Sequence, residues 1–203
     1  RRGPAFERIY RPIWKESGVR DTPQPLVKDL LSDADPTDLR KSDFEIRGCA
    51  LGRGLPVVCD MCMGSALHSD GTPYAGASTV DGATIDRLTH RKRVTEYPDL
   101  ATSPQIEYLV LACEEGGRWG PDQHRLLRSL VRIKVASIHP LLRRRASLAY
   151  TRRWWGILSI GAQTVAADCI LGRESPVPAP TSAMPLASVL LLIDIGTEPS
   201  RMR

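Results

Sequence analysis

Two aspartates carry the chemistry that this sequence is equipped to do. Asp60 stands inside Val57-Val58-Cys59-Asp60-Met61-Cys62-Met63, a run in which every neighbour is apolar. A carboxylate in such a strand is costly to bury unless it is paired, protonated or bound to a metal. Asp43 opens the preceding segment, Asp43-Phe44-Glu45-Ile46-Arg47, whose alternation is that of a half-buried strand. Paired as a hairpin, the two segments would bring both carboxylates to one hard cation such as Mg2+, which takes oxygen ligands and keeps several waters. Lys92 or Arg93, from His90-Arg91-Lys92-Arg93, would then stabilise a scissile phosphate or orient the attacking water. The competing readings are plain: Asp43 as a turn carboxylate, Asp60 as an edge-strand residue, Lys92 and Arg93 as a solvated helix face, and Tyr97 as packing.

Other constellations are weaker. Cys59 and Cys62 have a metal-ligand spacing, and Cys49 and His68 would complete a Cys3His set. A strand over 55–63, however, sends Cys59 and Cys62 to opposite faces, which favours small core residues. Glu114-Glu115-Gly116-Gly117 reads as a strand-ending turn or an additional metal carboxylate. His124 and His139 stand alone. No phosphate-binding loop, dinucleotide fingerprint or hydrolase elbow is present.

The elements that must position these residues are read from periodicity. Phe6, Ile9, Tyr10, Ile13 and Trp14 stripe a helix over 4–17, which Pro12 should kink or shorten. Residues 21–40, with prolines at 23, 25 and 36, read as loop with a short turn near 26–31. The hairpin's second strand, 55–63, is apolar enough to be central, with Pro56 at its start. After a loop over 64–82, a polar helix over 83–97 ends before Pro98. Residues 106–113 form a buried strand, and helices come next over 121–137 and from Pro140 to about 171. In the last of these, Leu148, Trp155, Leu158, Ala162, Val165 and Cys169 keep helical spacing. The order of elements describes a small α/β or α+β domain over 1–172. Residues 173–203, with prolines at 176, 178, 180 and 185, read as a linker and a tail ending in an apolar piece over 186–196.

The 203 residues suffice for one ordinary domain with appendages, not for a polymerase. At 42% apolar and 25% charged residues, a packed core is affordable and the composition argues against wholesale disorder. Five unpatterned cysteines point to a reducing, intracellular compartment. No signal-peptide pattern is present, the first residue is Arg rather than Met, as in a fragment or processed product, and the apolar run at 186–193 falls short of a membrane span. Charge is concentrated: between Arg118 and Arg153 ten basic residues face one acid, Asp122, so this segment carries +9 while the rest of the chain sums to −4. A local field of that kind attracts polyanions. Arg125, Arg128, Arg132, Arg143, Arg144, Arg145, Arg152 and Arg153 are the candidate nucleic-acid contacts. Trp154 and Trp155 beside them are able to stack on bases, although Trp155 also fits the core stripe.

The series Ser42-Asp43, then 55–63 with Asp60, then His90-Arg91-Lys92-Arg93-Val94-Thr95-Glu96-Tyr97 resembles the PD…D…K…Y series of restriction-like endonuclease domains. The closest similarity is to the domain at the C-terminal end of non-LTR retrotransposon polyproteins. Leu109-Val110-Leu111-Ala112-Cys113-Glu114-Glu115-Gly116-Gly117 is similar to the strand and Gly-Gly turn downstream of the series in those reading frames, and Leu158, Ser159 and Gln163 are similar to their ending. The resemblance covers roughly 8–172. It implies a small mixed sheet flanked by helices, a catalytic set of Asp43, Asp60, Lys92 or Arg93, and Tyr97, and Mg2+ held by Asp43 and Asp60. The implied activity is nicking of target DNA so that reverse transcription is primed there, in the nucleus, with DNA as first partner and RNA as second. Ser42 replaces the usual Pro, and Cys62 stands where the superfamily often has its Lys. Counting back from Tyr97 puts Arg93 at the Lys position, and Arg keeps its proton. The alternative is a non-catalytic nucleic-acid-binding remnant of such a reading frame.

Overall fold

The computed structural model describes residues 3–171, and the Pro-rich linker and tail read from the sequence lie outside them. Helix α1 (Gly3–Ser17) leads into strand β1 (Arg20–Pro23), a short helix α2 (Val27–Leu30) and the hairpin of β2 (Phe44–Arg47) and β3 (Val57–Gly64). Helix α3 (Ala83–His90) continues as a π-helical segment, Arg91–Glu96, followed by α4 (Pro98–Thr102), β4 (Glu107–Glu114), α5 (Pro121–Ala136) and α6 (Arg143–Leu171). The chain is therefore a mixed α/β fold, as its alternating periodicities require.

The sheet has the order β1-β2-β3-β4, antiparallel except for the parallel β3–β4 pair. That parallel pair needs a crossover, which α3, the π segment and α4 supply. Strand β3 is central and buried from Val57 to Met63 because both of its faces are covered. On one face Phe44, Ile46, Cys59, Met61, Leu109 and Leu111 pack against α1, α5 and α6. On the other Val58, Cys62, Tyr108 and Val110 pack against Ile85, Leu88 and Leu100. Asp60, of the same parity as Val58 and Cys62, faces this second layer.

The outer edge of β4 is closed by the next stretch of chain. The Glu114 amide donates to the Arg118 carbonyl, Gly120 donates to Ala112, and the Val110 amide donates to the Asp122 carboxylate at 3.1 Å. Asp122, in the first turn of α5, also takes ion pairs from Arg93 and Arg125. The single acid of the basic segment is thus a buried structural hub.

Several expectations are corrected. Residues 20–23 are a strand and not loop; all four are exposed, so no apolar alternation marks an edge strand of this kind. Pro12 does not break α1, whose Ile9, Tyr10, Ile13 and Trp14 are held against the sheet and α6. The helix expected over 83–97 changes winding at Arg91, and Pro98 begins α4 after Tyr97 leaves helical geometry, as a pre-proline residue tends to. Pro140 starts a single 3-10 turn, and the α-helix proper begins at Arg143. On α6 it is Trp154 that is fully buried, with Trp155 half-buried and Leu148 and Cys169 exposed. The inner seam instead runs through Ala146, Ala149, Tyr150, Trp154, Leu158, Gly161, Ala162 and Val165. Gly161 is where α1 comes closest: a Cβ there would stand 2.5 Å from Ile9. By length and composition the stretch Pro140–Leu171 would suffice to cross a membrane, yet its inner side chains complete the core on α1 and α5.

Candidate active site

The site is assembled by the β2–β3 hairpin. The register Phe44↔Cys59, carried one residue further, sets Asp43 opposite Asp60, a relation that places side chains on the same face at about 5 Å between Cβ atoms. Asp43 is fixed by the Met61 amide, which donates to its Oδ2 at 2.6 Å. The Ser42 hydroxyl donates to the Cys59 carbonyl at 2.8 Å and anchors the turn into β2. The serine that replaces proline therefore holds the local backbone by a hydrogen bond.

Asp60 is 3% exposed. Burial, and then the neighbouring Asp43 charge, push its carboxyl up to about 7, against the opposing pull of Lys92. Asp43 is raised as well, by burial first; the Met61 amide and Lys92 pull it down and Glu7 pushes it up. Glu7, buried on α1, is held by the Gln24 amide at 2.7 Å. The two aspartates resist ionising together, which is the electrostatic condition that a bound cation relieves.

Lys92 closes over the pair. Its Nζ lies 2.6 Å from Asp60 Oδ2 and 2.6 Å from Glu96 Oε2. Burial disfavours its charge, but Asp60 and Glu96 outweigh this and its pKa is raised, so it stays an ammonium. Arg93 does not occupy this position: its Nη2 pairs with Asp122 at 2.8 Å and bonds the Tyr108 carbonyl at 3.4 Å. The register counted back from Tyr97 thus fails by one residue. The reason is the π winding of Arg91–Glu96, which takes more residues per turn than an α-helix and rotates Lys92 onto Asp60. Arg40 clamps the end of this segment through the Glu96 carbonyl at 2.7 Å and Asp99 at 2.6 Å.

Tyr97 lies beside Lys92, with its ring centroid 5.4 Å from Nζ, and its hydroxyl donates to the Lys41 carbonyl at 2.7 Å. Burial pushes its phenol up to about 12, assisted by the Asp60 charge. Sequence reasoning missed two neighbours, Glu96 and Tyr108. Glu96 was legible as the residue four beyond Lys92. Tyr108 was legible as the one polar-tipped side chain in the apolar run of β4, of the same parity as Val110, which stands opposite Asp60.

Among the described residues no group of three or more His, Cys, Asp and Glu side chains is arranged to hold a metal ion. Asp43 and Asp60 are the two carboxylates here that could hold a hard cation, which would need water to complete its shell. A zinc site is not assembled: Cys59 belongs to one core layer and Cys62 to the other, while Cys49 lies 3.3 Å from the Ser129 hydroxyl. Burial pushes the Cys62 thiol up to about 12, so it stays protonated.

The basic candidates divide. Arg153 is not a surface contact: it pairs with Glu16 at 2.6 Å, and the two side chains are 11% and 4% exposed. Trp154 Nε1 donates to the same carboxylate at 2.8 Å, so this indole, a candidate for base stacking, belongs to the core. Arg125 is tied to Asp122 and Glu107. Arg143 caps the end of α5 through the carbonyls of Ala136 and Ile138. Arg128 bonds the His124 carbonyl from an exposed position, and Arg132, Arg144, Arg145 and Arg152 are exposed. A sequence count of charge cannot separate arginines that hold the fold from arginines that face water. No protein-family model matches the chain, and no curated protein matches it.

Proposed function

We propose that this chain is an endonuclease-like domain of retroelement type, which binds DNA and nicks it by metal-dependent phosphodiester hydrolysis. The observation that carries the reading is the juxtaposition of Asp43 and Asp60 across the β2–β3 hairpin, with Lys92 on Asp60. A bound Mg2+ would supply Lewis-acid activation of the phosphate and of a water molecule. Asp43 and Asp60 would hold that ion, and the Met61 amide keeps Asp43 in place. Lys92, which stays an ammonium beside Asp60, would supply a fixed positive charge toward the scissile phosphate. Tyr97 lines the site, with its ring beside the Lys92 ammonium. Arg144, Arg145 and Arg152 supply the positive surface for the duplex backbone.

The test is incubation of the purified chain with supercoiled plasmid and Mg2+ beside Asp60→Ala. Conversion to open circles by the wild type alone is expected. Equal nicking by both proteins removes the catalytic role of the pair. Salt-sensitive duplex binding with no nicking leaves the non-catalytic nucleic-acid-binding domain as the reading.

A further inference from the structure

Tyr108 belongs to the same site in a way that the catalytic series does not assign. Its side chain comes from β4, one strand away from the hairpin, and is 6% exposed. Its ring lies 6.1 Å from the ring of Tyr97. Burial first, and then the neighbouring Asp60 charge, raise its phenol well above the ordinary value. The backbone around it is satisfied, since Arg93 reaches its carbonyl. The hydroxyl is not: it is buried and has no hydrogen-bond partner among the described residues. Buried tyrosines ordinarily find a partner for their O–H, and one left without costs the fold stability. A phenylalanine here would make the same packing against Val58 and Val110 without that cost.

This face of the sheet therefore carries, beside Tyr97, a buried donor that no described protein group satisfies. The hydroxyl is too enclosed for a nucleotide to reach, so its occupant is small, and the neighbouring carboxylates call for a hydrated cation. We propose that Tyr108 is an outer-shell residue of the cation site, its hydroxyl hydrogen-bonding a water molecule of the divalent ion held by Asp43 and Asp60. The inference rests on the proposed metal site. It adds that β4, as well as the hairpin, sets the affinity for the ion. Outer-shell partners of metal ligands typically contribute about 10- to 100-fold to affinity or activity.

The experiment compares Mn2+ binding by calorimetry and thermal unfolding for the full chain, Tyr108→Phe and Asp60→Asn. Tyr108→Phe is expected to weaken Mn2+ binding about tenfold while its melting temperature stays level or rises, because an unsatisfied hydroxyl has been removed. Unchanged Mn2+ affinity in Tyr108→Phe, with binding lost in Asp60→Asn, overturns the role of Tyr108 and leaves the metal site standing. A wild type that binds no Mn2+, or binds it no better than Asp60→Asn, overturns both. A Tyr108→Phe variant that melts well below the wild type shows the hydroxyl to be a structural partner and also overturns the inference.

Discussion

Asp60→Asn should make the protein more stable at alkaline pH, although it removes a charge from an ion pair. In the folded chain the carboxyl is raised from 3.8 to about 7, chiefly by burial, so the folded state holds its proton more tightly than the unfolded state. Below about pH 4 both states are protonated and the residue is neutral in the balance. As pH rises toward 7 the unfolded chain releases the proton first, and stability falls; above about 7 the full penalty is present. At about 1.4 kcal/mol for each pH unit between the two values, the penalty reaches about 4 kcal/mol. Asparagine mimics the neutral acid, and Lys92 keeps Glu96 at 2.6 Å as its partner. Urea unfolding of both proteins between pH 4 and pH 8 should therefore give curves that coincide at the acid end and separate by about 2–4 kcal/mol at the alkaline end, with D60N above. Because Asp43 and Asp60 interact, the separation should open gradually rather than at a single pH. A D60N protein less stable than the wild type at pH 8 would show that the Lys92–Asp60 pair stabilises the fold, and would refute the reasoning.

Packing and surface charge give two further expectations. Arg153→Ala should cost about 3–5 kcal/mol by leaving Glu16 buried without its cation, whereas Arg144→Gln with Arg145→Gln should change stability by about 0.5 kcal/mol or less. The same double variant should flatten the slope of log affinity for duplex DNA against log salt by up to about 2; an unchanged slope would place the DNA contact elsewhere. Gly161→Ala should destabilise by about 1–3 kcal/mol through the clash with Ile9, despite gaining about 1 kcal/mol of helix propensity. A thermal melt showing G161A to be more stable would mean that α1 and α6 are not in close contact there.

The strands that bury both faces were legible because continuous apolar runs bounded by Gly and Pro admit few other structures, and β3 and β4 fall within two residues of where 55–63 and 106–113 place them. The hairpin was legible from the alternation at 43–47. Strand β1 was not, because an edge strand with four exposed residues has no burial pattern to leave in the sequence. Asp60 could be singled out because a carboxylate among apolar neighbours demands a reason. The basic residue that meets it could not be chosen, since winding within a helix depends on tertiary restraints such as the Arg40 clamp, which lies 56 residues away from Glu96 in the chain. The indole facing the core was misjudged between Trp154 and Trp155 for a related reason. Helix α6 is apolar on more than one side, with Ile160 and Ile170 exposed, so periodicity gives no unique inner face.

Residues 118–122 occupy the row of amides and carbonyls along the far side of β4, through Arg118, Gly120 and Asp122. Another polypeptide therefore cannot enlarge the sheet from that side without first prising away the beginning of α5. The opposite margin, β1, spans four residues and ends in Pro23, which has no amide to offer. Among the described residues, templated growth of fibrils or swapped oligomers is thus left one short, proline-terminated flank of the sheet.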